Sequence, residues 1–351
     1  MNTVTHAHHH PSAWRGAQMQ QRDDWVVQLT PAHNRELNEA LAFAKSRNAE
    51  IPTLQQQDFP LPTLAALFKD LAAEVMQGRG FALLRGLAID ALSLRDAALV
   101  YWGIGTHLGQ GRAQNAQGDM LGHVTDLGVD FRNDPNVRGY QTRLRLPFHN
   151  DTTDIVGLLC LRPARSGGLS RIVSSTAVHN EVLARRPDLL ELMCQPMSLD
   201  RRGEAPPGKP PYYQGAIFER VGERLFCRYN RTYVESAQRF PEVPRLTSAQ
   251  IEAFDLMDSL CNDPALRLDM DFQRGDMQFI CNYTVLHSRS AYEDWPELER
   301  RRYLLRLWLD TGLIDTLPAS WAVRQADLDL WQRNPKPPIF DLSMRHAELA
   351  H

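Results

Sequence analysis

The chain has 351 residues, 43% of them hydrophobic and 23% charged, and its formal net charge at pH 7 is −3. These values are ordinary for a globular protein with one large core or two small ones. The near-neutral charge gives no reason to expect a nucleic-acid partner, and no apolar run approaches the roughly 20 residues that cross a membrane. Five cysteines without Cys-x-x-Cys spacing predict a reduced, cytoplasmic protein without a zinc cluster.

The N-terminal third is predicted to be helical after a short tail. Residues 1–13 contain four histidines, which predicts a disordered, His-rich tail, with a metal-binding tail as the alternative. A single domain then spans residues 14–351, and it opens with a helical buttress at about 30–110. Within the buttress, apolar spacing predicts helices at 34–47, 61–76 and 93–107, and a strand at 81–87.

Residues 110–140 are rich in Gly, Asn, Asp and Gln and have little periodicity. A segment of this length without structure inside a compact domain is usually a functional loop. Gln114, Asn115 and His123 are therefore candidate substrate contacts, and the alternative is that they are ordinary polar loop residues. A second segment, at 206–213, contains four prolines and is predicted to form a surface loop or a lid.

Short strands dominate the next part of the chain, a core at about 140–312. Strand patterns occur at 143–146, 155–161, 169–174, 216–218, 224–229, 266–272, 277–281, 283–287 and 302–310. Two helices interrupt them, at 177–193 with a break at Pro187, and at 247–260, where Thr247 and Gln250 fit a capping box. The pattern predicts a mainly β fold with flanking helices (α+β), built as a β-sandwich or an open barrel.

His149 and Asp151 are two residues apart in a stretch, 144–161, that is predicted to be extended. Residues i and i+2 of a strand point to the same face, so the imidazole and the carboxylate can converge on one point. With one remote histidine, such a pair forms the facial triad of non-haem Fe(II) oxygenases. His287 is the candidate for that third ligand. The alternatives are a surface pair at 149 and 151, and a core histidine bonded to the backbone at 287.

Two further pairs of a histidine and a carboxylate two residues apart, both His-x-Glu, do not fit this metal chemistry. His179 and Glu181 lie in the predicted helix at 177–193, where side chains two residues apart diverge by roughly 200°. His346 and Glu348 lie in the last few residues of the sequence, with no later histidine followed by a basic strand. The pair at 149 and 151 is therefore the one that the sequence favours as part of a metal site.

The last predicted strand carries Arg302 and Arg306 among Leu, Tyr and Trp residues. Arginine is costly to bury in such a strand unless it meets an anion. Their spacing of four places both side chains on one face of the strand. The order His149-x-Asp151, His287 and then an arginine pair on the last strand resembles the taurine dioxygenase superfamily of Fe(II)/2-oxoglutarate oxygenases.

The resemblance covers about residues 81–309 and implies roles for individual residues. The three residues of the triad would bind Fe(II). Arg302 would bind the distal carboxylate of 2-oxoglutarate, with Arg301 and Arg306 as the alternatives. Ser170 follows a Gly-Gly turn where the family usually has a threonine that assists this carboxylate. Arg306 would otherwise meet an anionic group of the substrate or pair with an acidic neighbour.

The resemblance also implies a fold, a double-stranded β-helix (a cupin-like jelly-roll), and a reaction. The reaction would be oxidation, by default hydroxylation, of an unactivated C–H bond in a small polar metabolite such as an amino acid derivative. Fe(II), O2 and the co-substrate 2-oxoglutarate would be required, and succinate and CO2 would leave. The alternative is a metal-containing β-barrel that binds small molecules without turnover, although such a barrel needs no buried arginine anchor. We expect a small-molecule substrate and neither nucleic acid nor membrane as a partner, and a homo-oligomer stays open.

Overall fold

The computed structural model describes residues 6–128 and 138–341. In these ranges the helices are α1 (Gly16–Met19), α2 (Pro31–Ser46), α3 (Leu64–Gln77), α4 (Leu94–Leu108), α5 (Ser175–Arg185), α6 (Pro187–Met193), α7 (Arg231–Ala237), α8 (Ser248–Asn262) and α9 (Ala319–Trp331). The strands are β1 (Val26–Gln28), β2 (Phe81–Arg85), β3 (Gln110–Gly111), β4 (Gly122–Val124), β5 (Leu146–His149), β6 (Ile155–Arg162), β7 (Ser166–Gly167), β8 (Ser170–Ser174), β9 (Met197–Asp200), β10 (Tyr212–Gly215), β11 (Phe218–Val221), β12 (Arg224–Cys227), β13 (Arg267–Met270), β14 (Met277–Cys281), β15 (Val285–Arg289), β16 (Tyr292–Glu293) and β17 (Tyr303–Asp310).

Two mainly antiparallel sheets form the centre of the described part of the chain. The larger has seven strands in the order β1-β2-β14-β6-β17-β3, with β4 also paired to β17. The smaller has four strands in the order β13-β8-β15-β5. Three further ladders of two strands each, β9–β10, β11–β12 and β7–β16, lie outside these sheets. The architecture is a mixed α/β fold with a strand-rich centre.

The two sheets contribute to one hydrophobic core. Ile172 of β8 and Leu268 of β13, from the smaller sheet, belong to the same buried cluster as Phe279 of β14 and Leu305 of β17, from the larger sheet. Helices α2, α3 and α4 add their apolar faces to this cluster. The next residue of β8, Val173, points the other way and joins a second cluster with α5, α6 and α8. The smaller sheet is therefore buried on both faces, which fixes the direction of its side chains.

Several predicted helix boundaries are confirmed. Ser93 caps α4 by accepting a hydrogen bond from an amide of the first turn, at 3.1 Å. Thr247 and Gln250 form the predicted capping box of α8. Pro187 divides the predicted helix at 177–193 into α5 and α6. Such caps satisfy amide groups that have no partner within the helix, which is why these boundaries can be recognised in the sequence.

The predicted disorder of the tail is wrong for residues 8–12, which pack against α5. The amide of His8 donates to the Asn180 side chain at 2.9 Å, and that side chain donates to the His8 carbonyl at 3.0 Å. Ser12 is 1% exposed, and its hydroxyl lies 2.9 Å from that of Thr176. These are specific polar contacts over a long sequence separation, so the composition of the tail could not indicate them. The first five residues of the predicted tail lie outside the described residues.

Several other elements differ from their prediction. β5 begins at Leu146, where strand was expected from 143 to 146. The loop expected at 110–140 contains β3 and β4, because both add to β17, and residues 129–137 of this loop lie outside the described part. Helix α9 was not predicted at all. Among the described helices, none is both long and apolar enough to cross a membrane.

Candidate active site

The register of the smaller sheet brings the two predicted histidine ligands together. His287 of β15 lies directly opposite His149 of β5, and the centroids of the two rings are 4.3 Å apart. Asp151 follows shortly after His149. One ligand atom from each of the three side chains lies within 4.8 Å of the other two. The structure therefore assembles the predicted triad at one point.

Asp151 reaches the triad by a different route from the expected strand pleat, because β5 ends at His149. The side chain of the intervening Asn150 donates to the Asn282 carbonyl at 2.8 Å and accepts from the Tyr229 amide at 3.0 Å. The amide of Asp151 donates to the Asn282 side chain at 3.1 Å. Buried hydrogen bonds of two asparagines thus hold the turn that aims the carboxylate at the histidines.

The electrostatics favour metal-binding forms of the triad. Burial disfavours the ionised form of Asp151, but the neighbouring Arg306 guanidinium outweighs burial, and the pKa of this carboxyl lies below its usual range. Arg306 Nη1 and Trp308 Nε1 donate to its Oδ2 at 3.1 Å and 2.9 Å. Burial, reinforced by the neighbouring His149, lowers the pKa of His287 to about 3. At neutral pH the site therefore presents a carboxylate and a neutral His287, the forms that coordinate a metal.

The donor set fits iron. Two imidazoles and one carboxylate leave coordination positions for further ligands, which is the arrangement of non-haem Fe(II) oxygenases. The Nδ1–H of His149 donates to the Pro147 carbonyl at 2.8 Å, which leaves the lone pair on Nε2. Nδ1 of His287 is buried and has no hydrogen-bond partner among the described residues, so a bound group could satisfy it.

Two buried arginines lie beside the triad. Arg302 and Arg289 are each 4% exposed, and neither pairs with a carboxylate in the part of the chain that the structure describes. Both guanidinium groups pack on the ring of Tyr292, at 5.2 Å and 4.8 Å from its centroid. Burial, with Arg302 close by, lowers the pKa of Arg289 to about 10, which still leaves it cationic at neutral pH. Both arginines line the cavity, and Nη1 of each is buried without a hydrogen-bond partner among the described residues. Arg289 was not among the predicted site residues.

Ser170 lines the same cavity and lies directly opposite Arg289 in the β8–β15 ladder. It is 5% exposed, and its hydroxyl donates to Gln278 at 3.2 Å. Gly168 in the preceding turn has a φ of 71°, and a Cβ there would lie 3.0 Å from Nε of Arg302. The Gly-Gly turn therefore allows the backbone to approach this guanidinium closely, a role that L side chains would obstruct.

The two alternative arginines have other partners. Arg301 donates to the carbonyl of Trp295 at 3.3 Å and does not line the cavity. Arg306 lines the cavity, but its Nη1 binds Asp151 and its Nε donates to Gln114 at 2.8 Å. Gln114 in turn donates to the Arg306 carbonyl at 2.8 Å. Gln114 thus orients Arg306, and Arg306 supports a predicted metal ligand.

The two remaining candidates from the loop are placed differently. Asn115 lines the cavity and donates to Asp119 at 2.9 Å. His123 does not line it, because its ring lies against Tyr303, with a centroid distance of 5.7 Å. Neighbouring residues of a strand face opposite ways, so Val124 of β4 faces the cavity and His123 faces away. The structure gives no support for His123 as a substrate contact.

Further arginines and aromatic residues that were not among the candidate site residues also line the cavity. They are Arg138, Arg202, Arg228, Arg324, Tyr140, Tyr213, Tyr233 and Trp308. Helix α9, which was not predicted, supplies Arg324. The usable signal was the 3.6-residue apolar period of 319–331, which carries an arginine and an aspartate three positions apart.

Comparison with known proteins assigns the class. The sequence model of the taurine catabolism dioxygenase TauD, TfdA family matches residues 25–308. FR-33289 synthase of Streptomyces rubellomurinus is 33% identical over 328 residues, which cover 90% of this chain and 95% of that protein. The chain therefore belongs to the TauD/TfdA family of Fe(II)/2-oxoglutarate-dependent dioxygenases, as the order of its motifs predicted.

Solved structures share the fold. Asparagine oxygenase in complex with Fe(II), hydroxyasparagine and succinate has a TM-score of 0.60 and 19% identity, and the match covers 82% of this chain and 94% of that chain. The non-haem iron oxygenase OrfP in complex with Fe and α-ketoglutaric acid has a TM-score of 0.60 and 14% identity, with coverages of 85% and 98%. Membership of an enzyme family removes the support for a non-catalytic metal-binding barrel.

Proposed function

We propose that this enzyme hydroxylates an unactivated C–H bond of a small polar metabolite that carries an anionic group, and that it releases succinate and CO2. His149, Asp151 and His287 bind the Fe(II). Arg302, assisted by Ser170, binds the distal carboxylate of 2-oxoglutarate. The two sheets are the two halves of a double-stranded β-helix, a proposal supported by their antiparallel order and shared core.

The observation that carries the proposal is the position of Arg302 and Arg289 relative to the triad. His287 and Arg289 are two residues apart on β15, so they share a face and their Cα atoms are separated by about 7 Å. Each faces a partner across the sheet: His149 lies opposite His287, and Ser170 lies opposite Arg289. A five-carbon dicarboxylate such as 2-oxoglutarate can reach from one point to the other.

The residues of the chain have distinct tasks in this reaction. When bound, Fe(II) together with 2-oxoglutarate and O2 supplies the oxidising chemistry for the C–H bond. Arg302 and Arg289 hold the distal carboxylate, which orients the other end of the co-substrate towards the triad. Arg306 and Trp308 keep the Asp151 carboxylate ionised and fixed through its Oδ2. Tyr140, Tyr213, Tyr233 and Trp308 line the cavity. Their rings limit the access of water, which strengthens these charge-assisted contacts.

The class of substrate is supported by the charge of the cavity. Seven arginines line it, at 138, 202, 228, 289, 302, 306 and 324, against two carboxylates, Asp151 and Glu204. Two of those arginines, at 289 and 302, are assigned here to 2-oxoglutarate. Positive charge remains for an anionic group on the substrate. Asparagine oxygenase, which shares the fold, acts on an amino acid, and this supports a metabolite of similar size.

A metabolite panel tests the proposal. The purified protein would be incubated with Fe(II), 2-oxoglutarate and ascorbate, and substrate-stimulated consumption of 2-oxoglutarate would be measured for each compound. The expected result is an anionic compound that raises consumption, gains one oxygen atom by mass spectrometry and yields an equal amount of succinate. Stimulation by neutral compounds alone would contradict the proposed substrate class, and an absence of succinate with every compound would contradict the reaction.

A further inference from the structure

A second cluster of polar side chains lies in the cavity wall, where β10, β12 and the turn after Asp151 meet. Arg228 follows β12, and its Nε and Nη2 donate to the hydroxyl of Tyr213 at 3.0 Å and 2.7 Å. Nη2 also donates to the hydroxyl of Thr152 at 3.1 Å. Arg228, Tyr213 and Thr152 are 8%, 5% and 6% exposed. All three line the same cavity as the triad.

The charge of Arg228 has no counter-ion within hydrogen-bond distance. Arg228 forms no ion pair with any residue that the structure describes, and its Nη1 is buried without a hydrogen-bond partner. Glu219 is in electrostatic range, but its carboxylate binds Ser320 instead. Burial raises the pKa of Glu219, which weakens it further as a counter-ion. An uncompensated buried cation is strongly unfavourable unless an anion binds beside it.

The neighbouring charges increase this imbalance. Arg201 and Arg324 share a single carboxylate, Asp327, at 3.3 Å and 2.6 Å. Both guanidinium groups also pack on the ring of Tyr213, at 5.2 Å and 5.4 Å from its centroid. With Arg228 included, three arginines around Tyr213 face one aspartate within ion-pair distance, so this region carries a net positive charge.

A purely structural role for Arg228 explains only part of this arrangement. The guanidinium packs on the ring of Trp321, at 4.6 Å from its centroid, and so braces α9 against β12. Stacking uses the face of the guanidinium, so it neither satisfies Nη1 nor neutralises the charge. The hydroxyls of Tyr213 and Thr152 accept from Arg228, and each keeps a proton that it can donate. The cluster thus offers three donors on adjacent side chains, Arg228 Nη1 and the two hydroxyls, and Nη1 has no protein acceptor among the described residues.

We propose that Arg228, Tyr213 and Thr152 bind a tetrahedral dianion, a phosphate or phosphonate group of the primary substrate; this rests on the proposed oxygenase function. A planar carboxylate is best held by a two-pronged guanidinium edge, but the Nε–Nη2 edge of Arg228 is already bound to Tyr213. Three donors on separate side chains suit a group with three oxygens. Thr152 directly follows Asp151, so a group held there lies close to the metal ligands.

The test is a binding titration with small probes rather than with the unidentified substrate. The protein would be loaded with Fe(II) and 2-oxoglutarate without oxygen, so that Arg302 and Arg289 are occupied. Methyl phosphate, methanesulfonate and acetate would be titrated by calorimetry at about pH 8, where a phosphate ester is a dianion. We expect methyl phosphate to bind with a Kd of about 1 mM or tighter, and acetate at least roughly tenfold more weakly.

Matched variants locate the site. Arg228→Met should weaken methyl phosphate binding roughly 10- to 100-fold, and Tyr213→Phe and Thr152→Val roughly 3- to 10-fold each. Arg220→Met, a change in a surface arginine of β11 paired with Glu223, should have no effect. The affinity for 2-oxoglutarate should be unchanged in all four variants. The two conservative hydroxyl deletions keep the test valid if Arg228→Met does not fold.

Three results would overturn the proposal: no methyl phosphate binding to the wild type, equal binding of acetate, or unchanged affinity in the conservative variants. Each of these leaves the binding of 2-oxoglutarate intact. Failure of the proposed oxygenase function would instead be seen as an absence of Fe(II)-dependent 2-oxoglutarate binding by the wild type. The two failures are therefore distinguishable in the same experiment.

Discussion

Arg302, Arg306 and Arg228 are buried arginines of one cavity, and their partners separate their roles. Arg306 meets the Asp151 carboxylate, whereas Arg302 and Arg228 each have a buried nitrogen with no partner in the described part of the chain. In the sequence all three are simply arginines beside aromatic or aliphatic residues. The choice between Arg301, Arg302 and Arg306 stayed open there, because it depends on contacts with residues distant in the chain.

Arg302→Ala should raise the concentration of 2-oxoglutarate needed for half-maximal turnover far more than Arg301→Ala. Arg302 lines the cavity, whereas Arg301 binds backbone carbonyls outside it. Loss of a charge-assisted contact in a dry pocket should cost about 2–4 kcal/mol, or roughly 30- to 1000-fold in affinity. The KM for 2-oxoglutarate in both variants is the measurement. A larger effect of Arg301→Ala would reject the assignment of Arg302.

Asn150→Ala should weaken the metal site without removing a ligand. The Asn150 side chain bonds to the Asn282 carbonyl and the Tyr229 amide, and its loss leaves both buried groups unpaired. We expect a loss of about 1–3 kcal/mol in the free energy of unfolding and a weaker affinity for iron. Denaturant titration and iron binding measure the two effects. Unchanged iron affinity in a destabilised protein would mean that the turn is held without Asn150.

At the scale of elements, local signals predicted the helices better than the ends of the strands. Ser93, Thr247 and Pro187 mark helix boundaries by chemistry that acts within one turn. The end of β5 at His149 depends on Asn150 and Asn282, which are far apart in the sequence. Helix α5 is present where a helix was predicted, so His179 and Glu181, two residues apart on it, point in different directions.

His179 on α5 should make stability depend on pH. It is fully buried against the rings of His8 and Phe218, and burial lowers its pKa from 6.5 to about 4. Because the pKa of His179 is lower in the folded state, the protein is most stable when His179 is neutral, above pH 6.5. This stability is lost as the pH falls towards 4, because the unfolded chain then binds a proton that the folded state does not. Between about pH 7.5 and 5, the wild type should lose about 2 kcal/mol more than His179→Leu.

Denaturant titrations of both proteins across this pH range measure the difference. The comparison of the two slopes removes the contribution of carboxylates, which titrate in both proteins. If the free energy of unfolding changes with pH in the same way in both proteins, His179 is not the cause of the pH dependence.

At the scale of the whole molecule, the order of motifs in the sequence predicted the family and the three residues that the structure assembles. The prediction succeeded because His149 and Asp151 are close together in the sequence and are followed, in a fixed order, by His287 and a strand with two arginines. It did not reveal the part of the cavity wall that β10, α9 and the residue after β12 provide. Arg228, Tyr213 and Arg324 come together only through tertiary packing, so no local pattern relates them.

The most direct test of the central claim is Fe(II)-dependent conversion of 2-oxoglutarate into succinate by the wild type and by Asp151→Asn. Asparagine keeps the size of the side chain but removes the charge of the carboxylate ligand. Loss of an outer partner of a metal ligand costs roughly 10- to 100-fold, so loss of a ligand charge should cost at least about 100-fold in turnover. We predict succinate formation by the wild type only with Fe(II), and a folded Asp151→Asn protein with little iron and little turnover. Equal iron content and equal succinate formation in the two proteins would contradict the account.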